Sequence, residues 1–189
     1  MRIIGIDPGT IITGIGIIEC KNGKITVINF DTINSKSTEH LSDRLKKIYD
    51  ICCKKIDEFE PDEFAIETAF YSKNVQSTLK LGQARGVAII SAANAKLKIT
   101  EYSPREVKKS VTGNGASSKE VVRQIVKRIL NIRENPQFID TTDALAVALC
   151  HYYSFGNIFK EFKTKRNGVS NKNGWKKFVE ENPDKILNR

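Results

Sequence analysis

The first ten residues, MRIIGIDPGT, constrain the fold more than any other stretch of this chain. Their three isoleucines form a short β-branched run, which predicts a buried strand that ends on Asp7. Pro8 and Gly9 follow at once, and the strand must turn there because proline fixes φ and glycine gives access to positive φ. The sequence therefore predicts a carboxylate at the carboxyl end of a central strand, which is where ligands bind in open α/β sheets.

The rest of the chain alternates predicted strands and helices, which indicates an α/β domain. It opens with an antiparallel meander, because Asn22-Gly23 is a strong hairpin-turn signal between two apolar segments. A helix then leads to a short strand, EFAIE, and a crossover of this length predicts that EFAIE lies parallel to the first strand. The predicted strands cover residues 3–7, 13–20, 24–33, 63–67 and 97–102, and the predicted helices cover residues 39–59, 75–95, 104–111, 119–130 and 140–153.

The charge balance narrows the class of partner. The 189 residues include 31 Lys or Arg against 22 Asp or Glu, a formal net charge of +9. Such an excess favours a polyanionic partner, most often nucleic acid, and a basic surface without any partner is the alternative. Basic residues are most in excess near the C-terminus, where residues 156–189 are predicted to form a basic, partly disordered tail.

Two features of the sequence bear on location. The chain has no run of about 18 apolar residues and no signal-peptide layout at its start, so we expect a cytoplasmic protein without a membrane span. Its four cysteines form no CxxC pair, which favours buried, reduced thiols over a zinc site.

Four carboxylates occur where they could act together. Asp7 and Glu67 end strands that are predicted to be parallel neighbours, and Asp140 and Asp143 share one face of the first turn of a helix. Acids that are brought together repel one another, and divalent cations relieve that repulsion. Oxygen ligands of this kind favour Mg²⁺ or Mn²⁺, and two such ions about 3.5–4 Å apart support phosphodiester cleavage.

Each acid has a purely structural interpretation when it is taken alone. Asp7 lies in a good turn sequence, and Glu67 could be a surface acid at a strand end. Asp140 and Asp143 could simply favour the start of a helix, where the helix dipole attracts negative charge. The hypothesis of a metal-dependent site therefore depends on the four acids occurring together.

Four motifs make the resemblance specific. GIDPGT, FAIE followed by F-x-x-K-N, LGQARGVA and DTTDALAVA occur in the order in which they occur in the RuvC family of Holliday junction resolvases, which residues 1–155 resemble. The resemblance implies an RNase H-like nuclease domain, an α/β fold with a five-stranded mixed sheet flanked by helices. It implies a homodimer that symmetrically nicks two opposed strands of a four-way DNA junction in homologous recombination and repair.

The resemblance also implies roles for particular residues. It assigns Asp7, Glu67, Asp140 and Asp143 as ligands of two Mg²⁺ ions, with Mn²⁺ as a substitute, and it implies products with a 5′-phosphate and a 3′-hydroxyl. Family members work with the RuvA–RuvB branch-migration complex, which is the expected protein partner.

Several residues are candidates for holding DNA. The resemblance assigns Phe70 to stacking on a base near the crossover, with Tyr71 as a second aromatic candidate, although Phe70 could equally pack into the core. It assigns Lys108 and Lys119 to the neighbourhood of the scissile phosphate. Arg105 and Lys109 are candidates for further phosphate contacts, and a solvated surface position is the alternative for each basic residue.

Three other functions compete with a junction resolvase. An actin-like or sugar-kinase-like ATPase also begins with a strand followed by D-x-G-T, but it needs a second phosphate loop that this sequence lacks. An RNase H-like nuclease on RNA–DNA hybrids would use the same acids. A non-catalytic junction-binding protein on the same fold is disfavoured because all four acids are present.

Overall fold

The computed structural model describes residues 1–68, 74–132 and 141–154. The predicted tail over 156–189 lies outside these residues, and so do the candidate site residues Phe70, Tyr71 and Asp140. Five strands are present, namely β1 (Arg2–Asp7), β2 (Ile12–Lys21), β3 (Lys24–Asn34), β4 (Glu63–Glu67) and β5 (Lys98–Tyr102). The described helices are α1 (Leu41–Phe59), α2 (Val75–Asn94), α3 (Pro104–Thr112), α4 (Lys119–Leu130) and α5, over residues 141–154.

The five strands form one mixed sheet in the order β3-β2-β1-β4-β5. β1 pairs antiparallel with β2, and β2 with β3, which confirms the predicted meander. β1 pairs parallel with β4, and β4 with β5. The five-stranded mixed sheet flanked by helices is therefore confirmed, and the strand that ends on Asp7 lies at its centre.

The alternation of side chains along each strand divides the core into two clusters. Ile4 and Ile6 of β1 pack on the face covered by α1 and α2, where Ile48, Cys52 and three alanines of α2 are buried. Ile3 lies on the opposite face, with the buried residues of α3, α4 and α5. Because strand side chains alternate with a period of two, Gly5 and Asp7 belong to this second face.

Helix α5 lies directly against the backbone of the sheet at two paired glycines. Gly5 and Gly16 are register partners in β1 and β2. A Cβ atom at Gly5 would lie 2.3 Å from the carbonyl oxygen of Ala144, and one at Gly16 would lie 2.8 Å from the backbone nitrogen of Leu145. Only glycine permits this close approach of two backbone segments.

A buried polar pair connects the other end of α5 to the sheet. The Tyr102 hydroxyl at the end of β5 and Nδ1 of His151 lie 2.9 Å apart, and both residues are buried. Burial lowers the pKa of His151 to about 4, so its imidazole is neutral near pH 7. The α5 helix is thus fixed by glycine contacts near its start and by this hydrogen bond near its end.

Side-chain caps set the starts of the two helices that flank the predicted loop over 112–118. Ser103 accepts from the backbone N–H of Glu106, whose carboxylate in turn accepts from the backbone N–H of Ser103, so α3 begins with a capping box. Ser118 accepts from the backbone N–H of Val121 at the start of α4. Lys119 is therefore held in the first turn of its helix.

The expected reason for Gly9 needs correction. Gly9 does not adopt positive φ; it is required because a Cβ there would lie 2.1 Å from the carbonyl oxygen of Ile12. In α2, alanines at 84, 88 and 92 pack against the sheet, but Gly82 and Gly86 are exposed with open space around them. The small residues of α2 thus belong to two faces and not to one packing surface.

Among the described residues, no helix combines the length and apolar character needed to cross a membrane.

Adding one carbon at Gly5 should destabilise the domain more than removing one carbon at its neighbour. We expect Gly5→Ala to cost at least about 2 kcal/mol in free energy of unfolding, because the new Cβ collides with the α5 backbone. Ile4→Val removes one methyl group on the other face and should cost about 1 kcal/mol. Urea unfolding measures both, and equal costs would contradict the close packing of α5 on the sheet.

Candidate active site

The register of the parallel strands brings Asp7 and Glu67 to one edge of the sheet. Ile6 of β1 pairs with Ile66 of β4, so the two acids come next along adjacent strands. Both belong to the face that carries α3, α4 and α5, because Gly5 and Ala65 two residues earlier lie on that face. The predicted juxtaposition of these two carboxylates is present in the structure.

Asp143 reaches the same edge from the first turn of α5. The close contact between α5 and Gly5 places this turn beside the end of β1. The carboxylate of Asp143 accepts a hydrogen bond from Nζ of Lys119, with 2.8 Å between Nζ and Oδ2. The structure therefore brings together three of the four predicted acids, and Asp140 lies outside the described residues.

These acids line a cavity of about 250 Å³, which we name the carboxylate cavity. Its walls include Asp7, Glu67 and Asp143 together with Lys108 and Lys119. Pro104 and Val107 of α3 and Val122 of α4 supply the apolar part of the wall. The cavity thus combines three acids and two basic side chains in a partly buried space at the carboxyl edge of the sheet.

Burial and mutual repulsion both raise the pKa values of Asp7 and Glu67. Burial, with a further contribution from the charge on Asp143, raises the pKa of Asp7 to about 6. Burial, followed by the charges on Asp7 and Asp143, raises the pKa of Glu67 to about 8. Negative charge at this edge is therefore incompletely compensated by the protein itself.

The two lysines oppose this effect only in part. Lys119 lowers the pKa of Asp7, and Lys119 and Lys108 lower the pKa of Glu67, but in each case burial has the larger effect. The hydrogen bond to Asp143, with the charge of that carboxylate, raises the pKa of Lys119, which keeps its ammonium protonated. Lys119 is thus the cation that the structure places closest to an acid of this cavity.

The donor chemistry of this cavity fits a hard divalent cation. Its acids offer carboxylate oxygens, and their raised pKa values mean that a bound cation would relieve repulsion. Within the described residues, no three acidic, histidine or cysteine side chains already stand in a metal-binding arrangement. Lys119 instead neutralises Asp143, and a cation would compete with that ammonium.

The other basic candidates are distributed between a neighbouring cavity and the open surface. Arg105 and Lys108 of α3 line a neighbouring cavity of about 590 Å³, together with Asn114, Gly115 and Ala116. Gly115 is essential to its shape, because a Cβ there would lie 2.6 Å from Cγ of Arg105. Lys109 is exposed on α3 and lines neither this cavity nor the carboxylate cavity.

A second cavity beside the acids includes residues that the sequence analysis did not single out. Its volume is about 340 Å³, and Ile12 and Arg123 contribute to its walls. Arg123 follows Lys119 by four residues on α4, so the helical period could have indicated that the two basic side chains share a face. Ile12 carried no comparable signal, because an isolated isoleucine at a strand start is ordinary.

The sheet and the acids together define an RNase H-like nuclease. The central strand and its parallel neighbour in the five-stranded mixed sheet both end on acids, and a helix packed on the sheet contributes a third acid.

The comparisons with known proteins identify the family. The model of "Crossover junction endodeoxyribonuclease RuvC" matches residues 3–151. A crossover junction endodeoxyribonuclease RuvC from Cytophaga hutchinsonii is 45% identical over 97% of this chain and 87% of its own length. One from Tolumonas auensis is 51% identical over 80% of this chain and 87% of its own length. The chain belongs to the RuvC family of crossover junction endodeoxyribonucleases.

Solved structures agree with this assignment. The Thermus thermophilus RuvC structure superposes with a TM-score of 0.75 at 29% identity, covering 83% of this chain and 96% of that one. The same protein in complex with a Holliday junction substrate gives a TM-score of 0.75 at 26% identity. The yeast mitochondrial Holliday junction resolvase Ydc2, at 14% identity and a TM-score of 0.56, shares the fold.

Membership of this family confirms the predicted class of function, an endonuclease that resolves Holliday junctions in recombination and repair. Nucleases of the family depend on a metal ion. The ATPase and RNA–DNA hybrid alternatives are not supported, since the matching family and the curated relatives named above are crossover junction endodeoxyribonucleases.

Removing the charge of Glu67 should stabilise the metal-free protein at alkaline pH. The folded state holds a proton on Glu67 up to about pH 8, whereas the unfolded chain releases it near the ordinary value of 4.5. Ionisation therefore costs wild-type stability as the pH rises from about 5 to 8. In a chelator, Glu67→Gln should raise the Tm by several degrees at pH 8.5, or about 1–2 kcal/mol, with little difference at pH 5.

The control for this measurement is Glu19→Gln, which removes a strand carboxylate that pairs with Arg2 at 3.1 Å. Its Tm should not rise at either pH. A Glu67→Gln protein that is no more stable than wild type at pH 8.5 would show that Glu67 carries no unrelieved charge.

Proposed function

We propose that this chain cleaves Holliday junctions through Asp7, Glu67, Asp140 and Asp143, which hold two Mg²⁺ ions against the scissile phosphate. The observation that carries the proposal is the set of three partly buried, mutually repelling carboxylates that share one cavity with two lysines. Asp140 joins the set by the resemblance, as the residue three positions before Asp143. Mn²⁺ is expected to substitute, because carboxylate oxygens suit both ions.

When bound, divalent cations of this type neutralise the acids and stabilise the charge that develops on the phosphate during hydrolysis. Asp7 would help to hold the ions, because its carboxylate lines the same cavity as Glu67 and Asp143. The charge of Asp143 raises the pKa of Asp7, and the charge of Asp7 in turn raises the pKa of Glu67. The products expected for this chemistry are a 5′-phosphate and a 3′-hydroxyl.

The basic side chains of the cavity position the substrate. Lys119 donates a hydrogen bond to Asp143, and its ammonium would be free to contact a phosphate oxygen if a cation neutralised that carboxylate. Lys108 faces Glu67 from α3, so the two lysines approach the acids from different helices. Both then oppose the negative charge of the phosphate, and charge-assisted contacts of this kind are stronger than neutral hydrogen bonds.

Further DNA contacts extend from this site. Arg105, in the cavity that Gly115 leaves open, is suited to a phosphate further along the strand. Lys109 is a peripheral contact at most, because its side chain is exposed and outside both cavities. Phe70 and Tyr71 are proposed to stack on bases near the crossover, a contact worth about 1–3 kcal/mol per base.

We propose that the active form is a homodimer that pairs through α2. Five residues at helical spacing form an exposed, apolar and small-residue surface, the α2 stripe, made of Val75, Leu79, Gly82, Gly86 and Ile90. Val75 is 71% exposed and Leu79 is 63% exposed. Nicking two opposed strands needs two active sites, so a second copy of this chain is the expected occupant of the stripe.

The remaining parts of the proposal follow from the family. The RuvA–RuvB branch-migration complex is the expected protein partner. A cytoplasmic location is expected, and the four cysteines, none of which forms a disulfide, are compatible with a reducing compartment.

Replacing Asp7 by Asn should abolish nicking while leaving junction binding intact. We expect a loss of at least about 10³-fold in single-turnover nicking with Mg²⁺, because one of the carboxylates that would hold the ions loses its charge. Asp57→Asn, on the exposed side of α1, is the matched control and should behave as wild type. The substrates are a synthetic four-way junction, a linear duplex and an RNA–DNA hybrid.

Wild-type protein should give paired, religatable nicks in the junction and none in the duplex or hybrid. Nicking by Asp7→Asn at the wild-type rate would reject the assignment of the acids. Cleavage of the hybrid in preference to the junction would keep the chemistry and reject the substrate.

Placing a charge on the α2 stripe should separate the two copies. Leu79→Glu should shift sedimentation from dimer to monomer at micromolar concentration and abolish paired nicking, because the carboxylate would be buried in the interface. Lys80→Glu alters charge at the adjacent exposed position and is the control. A Leu79→Glu protein that stays dimeric would exclude the stripe as the interface.

A further inference from the structure

The acids of the active site border two cavities and not one. Besides the carboxylate cavity, Asp7, Lys119 and Asp143 also line the 340 Å³ cavity noted above, which we name the flanking cavity. Among the residues that the structure describes, these three side chains are the ones that the two cavities share. Glu67 and Lys108 lie in the first, and Ile12, Gly14 and Arg123 lie in the second.

Local features of β1 and β2 keep the flanking cavity open. Gly14 is the register partner of Asp7, so no side chain stands beside the acid on that strand. Ile12 lies two residues earlier on β2 and is 48% exposed. A large apolar side chain at this exposure, in the wall of a polar cavity, provides a surface for an apolar ligand group.

Helix α4 supplies the charged wall of the flanking cavity. Lys119 and Arg123 are one helical turn apart and both line it. Glu120 lines it as well, and hydrogen bonds at the helix start and then the charge of Arg123 lower its pKa. Arg123 is half-buried and lines the cavity.

A strand that is cut in its interior continues on both sides of the scissile phosphate. If that phosphate lies at the acids shared by the two cavities, the nucleotides on its two sides need separate space. The flanking cavity offers the apolar side chain of Ile12 for contact with a base and the guanidinium group of Arg123 for the next phosphate. Sites for single-stranded DNA likewise pair base contacts with basic side chains, although their base contacts are mostly aromatic.

We propose that the flanking cavity holds one of the two nucleotides adjacent to the scissile phosphate, with Ile12 packed against its base and Arg123 bound to its outer phosphate. This inference rests on the proposed function. It adds a positioning role for two residues: the strand is held on both sides of the acids, which aligns the bond to be broken.

The charged residues that line the flanking cavity predict when a nucleotide can occupy this subsite. The flanking cavity is lined by Asp7, Glu120 and Asp143 against Lys119 and Arg123. A phosphate entering it without a divalent cation meets an excess of acids, so occupancy should require the cation. The contribution of Arg123 to junction affinity should therefore appear with Ca²⁺ present and be small in a chelator.

Two pairs of variants test the subsite. Arg123→Gln is compared with Arg128→Gln, an exposed arginine near the other end of the same helix. Ile12→Thr is compared with Ile11→Thr, the neighbouring exposed isoleucine, which does not line the cavity. All four changes suit the local secondary structure, and urea unfolding verifies that stability is retained.

With Ca²⁺, Arg123→Gln should weaken junction binding about five- to tenfold and reduce the salt slope of binding by about one, and Arg128→Gln should do neither. The effect of Ile12→Thr on single-turnover nicking is measured with junctions that lack the base on one side of the scissile phosphate. On one side only, removing the base should abolish the effect of Ile12→Thr on single-turnover nicking, because the contact partner is already absent.

The results separate the subsite from the proposed function. If wild-type protein neither binds nor nicks the junction, the proposed function fails. If it does both and the variants match their controls, or if the effects of Ile12→Thr and base removal are additive on both sides, the subsite proposal alone is rejected.

Discussion

The candidate active site depends on the direct contact between α5 and the sheet backbone at Gly5 and Gly16. A Cβ at either position would collide with the backbone of the helix. This contact brings the first turn of α5 beside the end of β1, and Asp143 is delivered by it to Asp7. The hydrogen bond between Tyr102 and His151 fixes the helix at its other end. The site therefore depends on the absence of two side chains as much as on the presence of the acids, because any side chain there would separate the carboxylates.

The same contact imposes an energetic cost on the folded chain. Asp7 and Glu67 are largely removed from water and repel each other and Asp143, and both pKa values rise in consequence. Lys119 and Lys108 reduce this cost from two separate helices without removing it. The repulsion between these carboxylates lowers the stability of the folded chain. It arises at the place where a divalent cation would be bound. A site that the protein neutralised fully would have little affinity for such a cation, so the residual repulsion would favour cation binding at the proposed site.

Local patterns in the sequence predicted most of the fold because strands, caps and turns depend on neighbouring residues. The predicted bounds of β4 and α4 agree with the structure, and the hairpin at Asn22-Gly23 has the positive φ values that its turn requires. The reason for Gly9 was misjudged, since the constraint comes from the carbonyl of Ile12 and not from φ. Ile12 and Arg123 were missed because their proximity to the acids is a tertiary property that joins β2 to α4. Phe70, Tyr71 and Asp140 lie outside the described residues, so their roles stay predictions.

The alternation of side chains along β1 separates the two tasks that a junction-cleaving dimer must perform. Ile4 and Ile6 point to the layer of α1 and α2, whereas Gly5 and Asp7 point to the layer of α3, α4 and α5. The α2 stripe lies on the outer surface of the first layer, and the acids lie within the second. Pairing through α2 would therefore leave both cavities beside the acids open to a strand. A one-residue shift in the register of β1 would reverse these faces and place Asp7 among the isoleucines that bury α2, so the period of two in a single strand keeps the proposed assembly surface and the chemistry apart.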